Sequence, residues 1–134
     1  MGRNRFVKPN TIRLEVSGGD WIEVKRELNA GEHRRVFGRM VKEMRAGQGA
    51  TLDPEKIGLT KLAEYIVAWS FEDDRGRAVD VSEAAIDNLD SETYREIQKL
   101  IDAHEDAVEA EIEARKNDQA GEKASSPISP SAVS

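Results

Sequence analysis

Apolar and polar positions change rhythm several times along this chain, and each change predicts a change of element. Ile12, Leu14 and Val16 alternate with Arg13 and Glu15, the period of two that sets one face of a strand on a core. Trp21-Ile-Glu-Val-Lys25 repeats the pattern behind Ser17-Gly-Gly-Asp20, so residues 12–26 read as a β-hairpin. A two-residue loop, Gly18-Gly19, would set Val16 opposite Trp21 and throw Ile22 and Val24 to the other face. A three-residue loop, Gly18 to Asp20, pairs Val16 with Ile22 and Leu14 with Val24, and the apolar pattern predicts that turn. Residues 1–11 read as a flexible arm, where Lys8-Pro9 disfavours helix.

Beyond the hairpin the rhythm lengthens. Asn29-Ala-Gly-Glu32 has the form of a capping box and predicts a helix over about 30–46 that stops at Gly47. At about 100° per residue, Val36, Phe37, Met40, Val41 and Met44 share one arc, and Arg34, Arg35, Arg39, Lys42 and Arg45 the opposite one. The basic arc is either an ordinary solvated face or a docking face for an acidic partner, this chain's own C-terminal helix included. Residues 47–58 are rich in breakers and predict a loop. From Leu59 to Phe71 the chain is apolar on most sides, which predicts a central buried helix with Tyr65 and Trp69 as core or interface anchors.

A turn at Asp73-Asp-Arg-Gly76 and a short extended stretch at 78–81 lead to two capped helices. Ser82 caps the first, 83–89. Asp90 caps the second, 91–117, with Tyr94, Ile97, Leu100, Ile101, His104, Val108 and Ile112 as its apolar stripe. Glu111 interrupts that stripe. At 1.5 Å per residue this helix is on the order of 40 Å long, more than so small a domain requires. Its end therefore projects or meets a second molecule, which makes it a candidate for self-association. Residues 118–134, with Ser-Ser-Pro-Ile-Ser-Pro-Ser at 125–131, have no core-forming pattern and read as a disordered Ser/Pro tail. The expected fold is α+β and mainly α: an N-terminal β-hairpin, then a small helical bundle with a long C-terminal helix, as one domain over 12–117.

Composition narrows the function classes. With 38% hydrophobic and 34% charged residues in 134, one modest core is expected. The absence of cysteine excludes disulfides and thiolate metal sites. No run approaches the roughly 20 apolar residues of a membrane span, and the first residues lack an apolar signal core. The net charge of −6 is uneven, +4 over residues 1–71 and −10 over 72–134. An acidic chain of this kind is a poor general nucleic-acid binder. The imbalance suits protein partners, or the two halves face each other.

Candidate chemistry is sparse. His33 is followed by Arg34 and Arg35, a cationic setting unsuited to a metal. His104-Glu105 opens like a zinc-protease helix, but Val108 stands where the second histidine belongs. Asp73 and Asp74 flank a solvated turn, and Gly47-Gln-Gly49 is too short for a phosphate loop. The expectation is a protein that is not an enzyme, with no cofactor and no metal.

Four segments carry a family resemblance: Asp20-Trp-Ile-Glu-Val-Lys25; the capped helix at Asn29-Ala-Gly-Glu32; Tyr65-Ile-Val-Ala-Trp-Ser-Phe71 with Asp74-Arg-Gly-Arg-Ala-Val79; and Ile86-Asp-Asn-Leu-Asp90 before a long helix. In this order, over roughly residues 12–115, they resemble the tail assembly chaperones of long-tailed, siphovirus-type bacteriophages. The resemblance implies a protein of the infected host's cytoplasm that binds the tape-measure protein and helps recruit tail-tube subunits. It also implies absence from the mature virion and, in many phages, a longer frameshifted form. Neither nucleic acid nor membrane is an expected partner. Residues suited to an apolar client are Val36, Phe37, Met40 and Met44, with Arg35 and Arg39 adding charge and Tyr65 and Trp69 as further anchors. The competing expectation is a structural virion component such as a head–tail joining or tail-completion protein. A third is a regulatory protein using its basic helix on DNA, against which the acidic half argues.

Overall fold

In the computed structural model, which describes residues 4–47 and 54–123, the alternating pattern becomes two antiparallel strands, β1 (Thr11–Glu15) and β2 (Trp21–Lys25). The turn has three residues, as expected, but they are Ser17–Gly19 rather than Gly18–Asp20. Leu14 consequently faces Ile22 and Ile12 faces Val24, which corrects the expected partners by two positions. Both registers keep the apolar residues on one face, so side-chain parity cannot distinguish them. Gly18 and Gly19 both take positive φ, 78° and 85°, and either loop accommodates them. Distant contacts make the choice. Ser17 donates its amide and its hydroxyl to the Glu96 carboxylate, at 2.9 and 2.8 Å. Asp20 stays extended and accepts a hydrogen bond from the Ser70 hydroxyl at 2.8 Å.

The larger correction lies in the apolar run. Helix α2 (Pro54–Tyr65) starts inside the stretch expected to be a loop and ends midway through the expected helix. Residues 66–69 then form β3 (Ile66–Trp69), which pairs antiparallel with the second edge of β2. The sheet is thus three-stranded, in the order β1-β2-β3. Isoleucine, valine and tryptophan are favoured in strands, and β2 offers them an unpaired edge. The register shifts between Glu23 and Val24, a bulge that leaves Val67 exposed. That extra residue lets Ile66 and Trp69, three apart, both face the core. Of the breaker-rich stretch, residues 48–53 lie outside the described residues.

The capped helices follow their sequence signals. In α1 (Ala30–Gly47) the Asn29 side chain accepts from the Glu32 amide at 2.9 Å, and Glu32 accepts from the Asn29 amide at 2.8 Å. Ser82 caps α3 (Glu83–Asp87) through the Ala85 amide. Asp90 caps α4 (Ser91–Lys123) through the amide and hydroxyl of Thr93. Between β3 and α3, Gly76 has positive φ, and Asp73 accepts from the amides of Arg75 and Arg77, closing the expected turn. Helix α4 runs past the expected end, so residues 118–123 are helix rather than tail, and 124–134 lie outside the described residues.

Helix α2 is the central piece, packing on α1, α3 and α4 and leading directly into the sheet. Ile22 and Val24 from β2, Leu62 from α2, Ile86 from α3 and Ile97 and Ile101 from α4 are fully enclosed. Val16, Leu28, Tyr65, Ile66 and Trp69 complete this core. The architecture is mainly helical with an N-terminal sheet and a long C-terminal helix. Among the described residues no helix is long and apolar enough to cross a membrane.

Candidate interaction surface

The residues expected to meet a partner separate into a surface group on α1 and an internal pair at the α2–β3 junction. On α1, Phe37 stands 58% exposed, while Val36, on the same arc, packs against the core. Placing a phenyl ring in water forgoes the 1.5–3 kcal/mol or so that its burial contributes. The side chains of Met40 and Met44, on the same arc, lie outside those described.

The basic arc of α1 is partly used within the molecule. Arg35 grips Glu64 of α2 through two bonds, Nε to Oε2 at 2.8 Å and Nη2 to Oε1 at 3.1 Å. That pairing holds the Arg35 guanidinium above its ordinary pKa. Arg39 reaches Glu83 of α3 at 3.5 Å. Of the docking partners considered for this arc, α2 and α3 supply these acids, and the C-terminal helix does not. Between them lies an open groove of about 360 Å³, lined by Arg35, Gly38, Arg39, Lys42, Thr60, Glu64 and Glu83. Phe37 and Arg34 remain outward on this helix.

Tyr65 and Trp69 belong to the interior, at 2% and 9% exposure. The domain covers both with its own residues. The Tyr65 hydroxyl donates to Glu105 of α4 at 3.0 Å, and the Trp69 indole donates to the Val79 carbonyl at 2.6 Å. Phe71 stacks obliquely on Trp69 with centroids 5.1 Å apart. Burial, with the Glu105 carboxylate beside it, pushes the Tyr65 phenol well above its ordinary value.

A polar cluster at the α2–α4 seam has no counterpart in the sequence reading. Lys61 bonds Asp102 at 2.9 Å and also Glu105, which in turn receives the Tyr65 hydroxyl. Burial opposes the charge on Lys61, but the two carboxylates outweigh it and raise its pKa. The signal was the coincidence of Lys61 and Tyr65, four apart on one helix face, with Asp102 and Glu105 on another. It becomes readable only once α2 and α4 are known to be neighbours.

His104 also has a structural explanation. Its Nε2 lies 2.8 Å from the Arg26 carbonyl and 3.3 Å from that of Lys25, so this nitrogen donates to the end of β2. Its ring meets Tyr65 edge-on at 6.3 Å. His33 is exposed near the start of α1. Phe37 and Arg34, three apart, share the outward side of α1, while the basic groove opens on the side toward α2 and α3. No protein-family model, curated protein or solved structure matches this chain.

Proposed function

We propose that this protein is a tail assembly chaperone of a long-tailed bacteriophage, binding the apolar helices of a tape-measure protein through α1 and helping to recruit tail-tube subunits. The observation that carries the reading is Phe37, an exposed aromatic on a helix whose basic flank borders an open groove. Such a ring suits an amphipathic client helix, whose apolar stripe covers Phe37 while an acidic residue meets Arg34, three positions before it on the same side of α1. The four segments that resemble the chaperone family point the same way, and they fall on β2, the α1 cap, the β3 region and the junction of α3 with α4. In this reading the protein acts in the host cytoplasm and leaves before the tail is complete.

Co-expression with a phage tape-measure protein tests the proposal. The tape-measure protein should be soluble and co-purify with the wild-type chain. With Phe37→Asp it should precipitate, while the variant itself stays folded because the ring has no interior role. A tape-measure protein that is soluble alone and never co-purifies rules the reading out. Mass spectrometry of purified particles separates it from a permanent virion component: the chaperone is absent, and a joining or completion protein is present in fixed copy number.

A further inference from the structure

We propose that two copies of this chain associate through the free edge of β1, joining their sheets into one six-stranded antiparallel sheet. The inference does not depend on what α1 binds. Within the hairpin, the Val16 amide donates to the Asp20 carbonyl at 2.8 Å, and the Arg26 amide donates to the Asn10 carbonyl at 2.9 Å. With the observed register, the even-numbered residues of β1 therefore turn their backbone groups toward β2. Thr11, Arg13 and Glu15 turn theirs outward, and no other described strand pairs with that edge.

The two edges of the sheet are built differently. β3 is four residues long and bulged, which blunts it against further pairing. β1 has five residues with no bulge, no proline and no inward-facing charge. Its inner side chains are also incompletely covered: Ile12 and Leu14 are half-buried, whereas their partners Val24 and Ile22 are fully enclosed.

Charge selects one occupant and one register. An antiparallel second copy centred on Arg13 would set Arg13 against Arg13. Centring the two-fold axis on Leu14 sets Arg13 opposite Glu15 of the other copy, twice. The same register sets Leu14 against Leu14 and Ile12 against Val16 on the inner face. The sequence Ile12-Arg-Leu-Glu-Val16 is thus complementary to its own reverse, in charge on one face and in apolarity on the other. In this arrangement Arg13 and Glu15 are a backbone-bonded pair, as their outward amides require.

Sedimentation equilibrium on the full chain should give a dimer. Arg13→Glu and Glu15→Arg should each weaken it by about tenfold or more, because each turns two attractive pairs into two repulsive ones. Mixing the two variants should restore association as a heterodimer. The introduced glutamate of one copy then faces the introduced arginine of the other, and the native Glu15 of the first faces the native Arg13 of the second. Arg13 also lies 3.7 Å over the Trp21 ring, so the mixture is decisive: it restores complementarity without returning that contact to the altered chain. The chain has no cysteine, so Leu14→Cys gives a clean crosslink across the axis. Cα atoms in such a non-bonded pair lie about 4.5 Å apart, within disulfide reach. Oxidised Leu14→Cys should run as a covalent dimer and Ile12→Cys should not. A wild-type chain that is monomeric at every concentration, a dimer indifferent to both charge variants, or crosslinking at Arg13→Cys instead of Leu14→Cys overturns the proposal.

Discussion

Glu32 closes the capping box at the start of α1 and at the same time pairs with Lys25 of β2, tying the first helix to the sheet. Burial works against its charge, but the hydrogen bonds from Lys25 and the Asn29 amide prevail and hold its pKa below the ordinary 4.5. The Thr93 amide and hydroxyl lower Asp90 at the cap of α4 in the same way. Both are carboxylates depressed in the folded state, so the unfolded chain binds more protons as pH falls below their ordinary range. Their contribution is present above about pH 4.5 and disappears through the folded pKa values below it. Urea unfolding across that window should show stability falling with acidity, and Asn29→Ala should cost about 1 kcal/mol at neutral pH. The alkaline side has the opposite sign. Tyr65 and Lys61 are both raised, so their contribution holds below about pH 10 and declines above it as the unfolded chain deprotonates first. Tyr65→Phe should flatten that alkaline decline, and melting curves on the two proteins check it.

At the level of elements, the legible parts are those whose signals are local. The capping box, the Ser82 and Asp90 caps, the Asp73–Gly76 turn and the stripe of α4 all depend on neighbours within a few residues, and the structure has each of them. Residues 66–69 read as helix in the sequence because a short, fully apolar run satisfies a buried helix and a buried strand equally. What decides between them is the vacant edge of β2, more than 40 residues earlier in sequence. Glu96 and Ser70 likewise set the hairpin register from a distance. On the candidate surface, the exposed face of α1 is legible from its periodicity. For Tyr65 and Trp69 the apolar run allows two readings, core or interface anchors, and the structure takes the first, with Tyr65 at the end of α2 and Trp69 on β3. Gly58 records another long-range demand. It is buried on α2, and a Cβ there would sit 2.7 Å from the Gln98 amide nitrogen and 3.2 Å from the Tyr94 hydroxyl on α4. Gly58→Ala displaces only side-chain ends and gains helix propensity, so it should be close to neutral. Gly58→Val drives a branched side chain into the seam and should destabilise by about 1–3 kcal/mol in urea unfolding.

At the scale of the molecule, the uneven charge is at least partly an internal arrangement. Arg26, Arg39 and Lys61 from the basic half meet Glu111, Glu83, Asp102 and Glu105 from the acidic half. Exposed pairs such as Arg39–Glu83 contribute about 0–1 kcal/mol each, while the half-buried Lys61 cluster and Arg26–Glu111 orient α4 against α2 and the end of β2. The firm anchorage of α4 is apolar and ends at Val108, with Ile112 half-buried beyond it. From Glu113 to Asp118 every side chain is exposed, on a helix that extends for about 50 Å at 1.5 Å per residue. A chain ending at Glu113 should therefore unfold within about 0.5 kcal/mol of the full protein. A chain ending at Ala107 loses the buried Val108 and the Arg26–Glu111 pair, and should lose about 2 kcal/mol. The same truncation separates two routes to self-association. If the projecting end of α4 joins two copies, removing residues 114–134 yields a monomer. If β1 joins them, the shortened chain sediments as the same dimer and remains sensitive to Arg13→Glu.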